Sequence, residues 1–445
     1  MTTTSMGRRT ALLGGATLLS GCGAFDSIFG ESKRPLPGDR RSISGGGGSL
    51  RVDTSIESRP VTLPDPVAIP AWPVPGGNPA HAPGHALLQG NLAEAWRSSF
   101  GTGTGRRQRL VVGPVVAGDL AVVTDAYGYV SGFDPARGGQ RWRRDTRPNE
   151  DDADNIGAGA IIEGDTVYVT TGLAEVMALD AATGAIKWRA RLPTPARGAP
   201  ALLGNRLFVP IIENQLLALS TEDGRRLWSH RAPPTPAVPF GLPTPAIEGE
   251  LVVAGFASGE LTAIRATDGR VMWSEGLGSS GRSGLTDFSG IRGMPVIENG
   301  WVFATALSGN TMAVDLRTGR RIWERDVGST ETPAVVGDWV FVVSLASELV
   351  ALSRTDGRVR WILPLDPAPP GKESDWQRAS FAAPIVAGGR IIVPGSKAEA
   401  LLVDPAEGTI TGRLRLPGGV TLPGAVVGSD VYFATDNATL VAFRG

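Results

Sequence analysis

The sequence predicts an all-β fold: an eight-bladed β-propeller of four-stranded antiparallel blades. Three observations carry that prediction. A turn-and-Trp motif recurs along the chain, an apolar strand unit recurs beside it, and an N-terminal segment supplies the strand that the last unit lacks. The motif places Asp, or Ser or Arg, four residues before Gly and eight before Trp. It occurs as Asp134/Gly138/Trp142, Asp180/Gly184/Trp188, Ser220/Gly224/Trp228, Arg265/Gly269/Trp273, Asp315/Gly319/Trp323 and Ser353/Gly357/Trp361. A degenerate seventh copy has Asp404 and Gly408, with Gly412 in the Trp position. Successive glycines are 46, 40, 45, 50, 38 and 51 residues apart, the spacing of four-stranded propeller blades.

Each part of the motif has a physical reason. Gly suits a turn between two strands where φ is positive. Asp caps that turn with its side chain. Trp alternates with polar neighbours, as in Lys187-Trp188-Arg189, and so can lay its ring on the adjacent blade. Upstream of each motif stands a Pro (114, 200, 245, 295, 333, 384 and, shifted by one, 423; Ala160 takes the place once), followed by an apolar strand such as Leu251-Val252-Val253-Ala254. Eight such units accompany seven Gly units. The last stops at Phe443-Arg444-Gly445, and Leu92-Ala93-Glu94-Ala95-Trp96-Arg97 is expected to supply its outer strand. Closing the ring in this way leaves no free edge, which favours a propeller over a solenoid of stacked β-units.

Composition narrows the function. Lys+Arg number 43 against 44 Asp+Glu, so no global basic field exists to hold a nucleic acid. A single Cys excludes disulfides within the chain, CxxC redox sites and multi-Cys zinc sites, and three His leave little for an all-His metal centre. No HExxH, Walker loop, nucleophile elbow, EF-hand or dinucleotide fingerprint occurs. Asp151-Asp152-Ala153-Asp154 lacks the Gly and distal Glu of a calcium loop and reads as a solvated loop. His230, two residues after Trp228, is expected to pack on the same side of its strand.

The N-terminus reads as an address. Arg8-Arg9 precede a short apolar run, Ala11 to Leu19, too short to span a bilayer. Leu19-Ser20-Gly21-Cys22 resembles the bacterial lipobox, which makes Cys22 the lipidated N-terminus after removal of residues 1–21. By that resemblance Gly23, in place of Asp, implies sorting to the outer membrane, with several acyl chains as a lasting anchor. Residues 22–85 carry a Gly45–Gly48 run and eight Pro from Pro60 to Pro83. They are expected to form a tether, parts of which drape over the folded body, with the propeller spanning 86–445.

The repeat is similar to the quinoprotein-type blade with its Ala-x-Asp-x-x-Thr-Gly-x-x-x-Trp signature. In that group the pyrroloquinoline-quinone dehydrogenases carry a calcium-ligand set and adjacent cysteines, and this chain has no second Cys. Across residues 90–445 the sequence resembles the BamB family, notably from Gly300-Trp301-Val302-Phe303-Ala304 through Arg321-Ile322-Trp323. The resemblance implies a scaffold without enzymatic activity or cofactor. It would be a lipoprotein on the periplasmic face of the outer membrane that assists β-barrel assembly together with the other BAM components. A periplasmic quinoprotein or sugar-processing enzyme is the rival class, and a surface adhesion module a third.

Loops between blades are the expected docking place. Counted from Trp to the next Pro, they run 12 residues after Trp188 and 10 after Trp323, but 17 after Trp228, 22 after Trp273 and 23 after Trp361. The first and second of the long ones offer Val238, Phe240 and Leu242, then Asp287, Phe288, Ile291 and Arg292. The family resemblance implies that these two loops meet a POTRA domain of a BamA-like barrel protein. Enterobacterial members carry a hydrophobic-Arg cluster in one loop and acidic residues in the other. Here Phe240 stands for the Arg, and Gly290 and Arg292 for the acids. The seven motif tryptophans (Trp96, Trp142, Trp188, Trp228, Trp273, Trp323 and Trp361) are expected to pack between blades.

Overall fold

The two middle strands of each repeat are apolar runs, as in Trp339-Val340-Phe341-Val342-Val343, and every residue of that strand is buried. Such strands need cover on both faces, which neighbouring blades provide. Outer strands instead alternate, with exposed residues between half-buried ones in Ile186–Arg191. The computed structural model describes residues 50–106, 108–148, 158–235, 238–277, 289–372 and 375–445. It contains eight four-stranded sheets, each an antiparallel meander from an inner to an outer strand. Seven blades are continuous in sequence (115–145, 158–191, 201–231, 246–276, 296–325, 334–364 and 385–415). The eighth takes Ala425–Val427, Asp430–Ala434 and Thr439–Arg444 and is completed by Ala93–Ser99, which pairs antiparallel with Thr439–Arg444. The predicted closure by an N-terminal strand is therefore present.

Blades are locked to one another by the motif. Each Trp indole donates to the carbonyl of the residue after the Asp position in the next blade. The pairs are Trp96 to Pro135, Trp142 to Ala181, Trp188 to Thr221, Trp228 to Ala266, Trp273 to Leu316, Trp323 to Arg354 and Trp361 to Pro405. Distances fall between 2.7 and 3.0 Å. The ring covers the turn glycine. At Gly319 φ is +71°, and a Cβ there would lie 2.7 Å from Trp273 Cγ. Glycine is thus required twice, by the left-handed backbone and by the close approach of the indole face. The turn is capped as expected, with Asp315 Oδ1 accepting from the backbone N of Thr318 at 2.9 Å and Asp180 Oδ1 from that of Thr183 at 3.0 Å.

The segment from residue 50 onward lies on the folded body, as expected for part of the tether, but its course runs inside the ring of blades. It belongs to the compact unit that starts at Gly48. Innermost strands turn an unpaired edge toward the propeller axis, and residues 69–86 pair with it. Trp72 exchanges both backbone bonds with Val116, at 2.6 and 2.8 Å. The carbonyls of Pro73, Pro79 and Ala80 accept from Ile162, Ile247 and Ile297, and Ala86 N donates to Val386 O. Ile69 O accepts from Gly428 N. Six of the eight blades are contacted in this way. Trp72 is 4% exposed, and Val61, Val74 and Ala86 are buried as well. The segment satisfies backbone groups that would otherwise face an apolar channel, which is why a Pro-rich stretch with few donors of its own still orders there. It enters beside the sixth blade, where Asp53 N donates to Val359 O at 2.8 Å and Arg59 pairs with Asp338 at 3.0 Å.

Candidate partner-binding site

The meander fixes two unlike faces. Turns between first and second strands, and between third and fourth, lie on one face, and the N-terminal segment enters there, with Pro64 against Gly337 and Leu88 against Gly388. The loops between blades lie on the other face, together with the turns between second and third strands. At the centre of this loop face the plugged channel ends in a pit walled by Val111, Gly241, Arg292, Glu331 and Leu422, with Pro75 of the N-terminal segment reaching its wall. A cleft of about 290 Å³ continues from it, lined by Arg109, Thr330, Ser344, Leu345, Ser380 and Thr421.

The predicted loop residues separate into two groups. Phe240 is 53% exposed, one of few large apolar side chains in that state, and Val238 is partly buried. Leu242 and Ile291 are not docking residues. Leu242 is buried with its N–H on the Arg197 carbonyl, and Ile291 is fully buried beneath Gly255, its N–H on the Phe256 carbonyl at 3.0 Å. Each loop must return to an inner strand, and its apolar residue nearest that strand fills the space over the blade end. Arg292 has its partner within the chain, since Nη1 lies 2.6 Å from Glu331 Oε1, which also accepts from Thr330 Oγ1 at 2.9 Å. Its expected free charge toward a partner is therefore already engaged. Asp287 and Phe288, like Cys22 and Asp151-Asp152-Ala153-Asp154, lie outside the described residues.

Arg109 is the residue that loop counting missed. Its guanidinium carbon lies 4.8 Å from the centroid of Phe240, so an arginine absent from the Phe240 loop is supplied in space by the segment leading into the first blade. That segment is itself a loop of the same face, 18 residues from Trp96 to Pro114, and its basic run was the available signal. Nearby, Asp436 accepts from Thr421 Oγ1 at 2.6 Å, and burial pushes its carboxyl above the usual range. Burial also lowers the pKa of Arg197, whose Nε has no hydrogen-bond partner among the described residues.

The remaining candidates are structural. His230 packs its ring 5.5 Å from Phe256, and burial lowers its pKa against the opposing charge of Glu260. The motif tryptophans are buried or half-buried in the blade junctions already described. Among the described residues no three His, Cys, Asp or Glu side chains converge as a metal-holding set.

Comparison with known proteins agrees with this geometry. The family model described as outer membrane protein assembly factor BamB matches residues 126–363 and 345–444. The outer membrane protein assembly factor BamB of Legionella pneumophila is 25% identical over 198 residues, 44% of this chain and 49% of the relative. For the Yersinia pestis protein of the same name the figures are 24% over 251 residues, 56% and 61%. The chain thus spans about half the length of the curated relatives it matches. The crystal structure of BamB from Moraxella catarrhalis superposes with a TM-score of 0.67 at 20% identity, covering 80% of this chain and all of that one. A quinohemoprotein alcohol dehydrogenase from Comamonas testosteroni shares the fold equally well, with a TM-score of 0.67 at 14% identity over 88% of this chain and 82% of its own. Fold similarity alone therefore does not separate scaffold from enzyme, whereas the family model, matching well over half of the sequence, does assign the family. By that match and its Trp-locked propeller, this chain belongs to the BamB family of outer membrane protein assembly factors.

Proposed function

We propose that the protein is a non-enzymatic scaffold lipoprotein of the outer-membrane β-barrel assembly machinery, docking a POTRA domain of a BamA-like protein on its loop face. The observation that carries this reading is Phe240, an exposed aromatic ring on a loop of a rigid ring of blades, held in place by Arg109. Aromatic and arginine anchors of this kind dominate protein–protein binding. The described N-terminal segment enters on the opposite face, at Pro64 and Leu88, which leaves the loop face open to a partner. Against the rival quinoprotein dehydrogenase reading stands the axial channel, which residues 69–86 occupy at its other end.

One membrane preparation tests both halves of the proposal. Wild-type protein should fractionate with the outer membrane and, after detergent extraction, capture the BamA-like barrel protein. Cys22→Ala should leave the propeller folded and release it to the soluble periplasm. Capture without any barrel protein, together with quinone absorbance in the purified material, would support the enzyme reading instead.

A further inference from the structure

We propose that the cleft beside Arg109 receives a carboxylate side chain of the docking partner, and that the partner surface therefore presents Asp or Glu next to an apolar residue. This rests on the reading of the loop face as the docking face, and it names the chemistry that face selects.

Four observations lead there. Arg109 is exposed and its guanidinium makes no ion pair within 4 Å among the described residues, yet it is held by the ring of Phe240. A guanidinium fixed by stacking loses less side-chain freedom when it binds, and its planar fork suits a carboxylate. The acids around it are already engaged, Glu331 by Arg292 and Thr330, and Asp436 by Thr421. Asp436 feels the charge of Arg109 but makes no ion pair with it, so the exposed guanidinium keeps room for a second carboxylate. The cleft that Arg109 lines holds about 290 Å³; on its wall the hydroxyls of Thr330, Ser344, Ser347 and Thr421 already donate within the chain, which leaves that of Ser380 to donate to a carboxylate. Finally, Leu345, 51% exposed, lines the cleft that Arg109 shares, and the Phe240 ring packs on the same guanidinium. An anion site flanked by two exposed apolar side chains fits an acidic residue with an apolar neighbour. It does not fit a bare anion.

The charge is at the rim, so it should act mainly on association rate and salt dependence. The test uses the mature protein and the purified POTRA array of the cognate barrel protein, with binding kinetics followed at low and high salt. Arg109→Glu should weaken binding at least tenfold, mostly through slower association, and should remove most of the salt dependence. Arg109→Lys should retain part of the binding, and all variants should melt with wild type, because the side chain is exposed. Substituting Lys for the partner acid should restore binding to Arg109→Glu. If wild type binds and Arg109→Glu binds within twofold of it, the carboxylate site is wrong while the docking face stands. If wild type does not bind the array, both fall together.

Discussion

Trp273 Nε1 donates to the carbonyl oxygen of Leu316 at 2.7 Å, tying the outer strand of the fourth blade to a turn of the fifth. The indole is 8% exposed, so the bond is shielded and the ring fills the junction. Trp273→Ala should cost about 3–5 kcal/mol through the cavity it leaves. Trp273→Phe keeps much of the area and strands the carbonyl, at about 1–3 kcal/mol. Thermal and urea melts check both. A Trp273→Ala protein that melts with wild type would contradict the lock.

Gly319 and Gly412 should respond very unequally to the same substitution. Gly319→Ala combines a left-handed backbone with a Cβ driven into Trp273, and should destabilise by about 2 kcal/mol or more. At Gly412 the nearest atom to an added Cβ is Leu402 Cδ1, at 3.4 Å, and φ is not positive. Gly412→Ala should stay within about 0.5 kcal/mol of wild type. Equal losses in the two variants would mean that the motif glycines are not special.

The missing Trp at position 412 has a structural reason. A motif Trp docks on the turn between third and fourth strands of the next blade. In the eighth blade no such turn exists, because Thr439–Arg444 is followed in the sheet by Ala93–Ser99. There is no turn carbonyl for an indole to reach. The sequence irregularity and the closure of the ring are one fact, and both were legible from spacing alone. Blade count and lock were readable because they repeat. The N-terminal plug was not, since its order depends on strand edges that exist only once the ring has closed. Leu242, Ile291 and Phe240 look alike in the sequence, as apolar residues in long loops. Only the path back to each inner strand decides which of them points inward. The Arg109–Phe240 pair joins distant parts of the chain that share a face, and no local pattern announces it.

A chain beginning at Leu50 should be markedly more stable than one beginning at Ala86. The shorter chain loses Trp72, worth about 3–5 kcal/mol by itself. It also frees the inner-strand N–H groups of Val116, Ile162, Ile247 and Ile297. Hydrogen exchange at those amides should rise selectively. Identical melts and unchanged exchange would restore the tether reading.

Stability should fall as the pH drops below the ordinary histidine range. His81 is buried in the plug with Nδ1 2.8 Å from the Pro295 carbonyl, and burial pushes its pKa down to about 4 from 6.5, against that hydrogen bond. The unfolded chain then takes up the proton first. Stability is full above about pH 6.5 and declines toward pH 4, by up to about 3 kcal/mol. Half-buried His230 acts in the same direction. His81→Asn tolerates the positive φ of +58° and should flatten most of this slope in urea midpoints measured across that window. Parallel slopes in the two proteins would show that His81 titrates freely.

The central claim is that the loop face, rather than the rim, meets the barrel assembly protein. Two exposed apolar residues allow a direct comparison, Phe240 on the loop face and Met272 on the outer strand of the fourth blade, 53% and 49% exposed. Affinity of the purified mature protein for the POTRA array, measured for Phe240→Glu and Met272→Glu, decides between the two surfaces. The account predicts that Phe240→Glu loses at least tenfold, about 1.4 kcal/mol, while Met272→Glu binds as wild type and both melt normally. Loss confined to Met272→Glu, with Phe240→Glu unaffected, would contradict it.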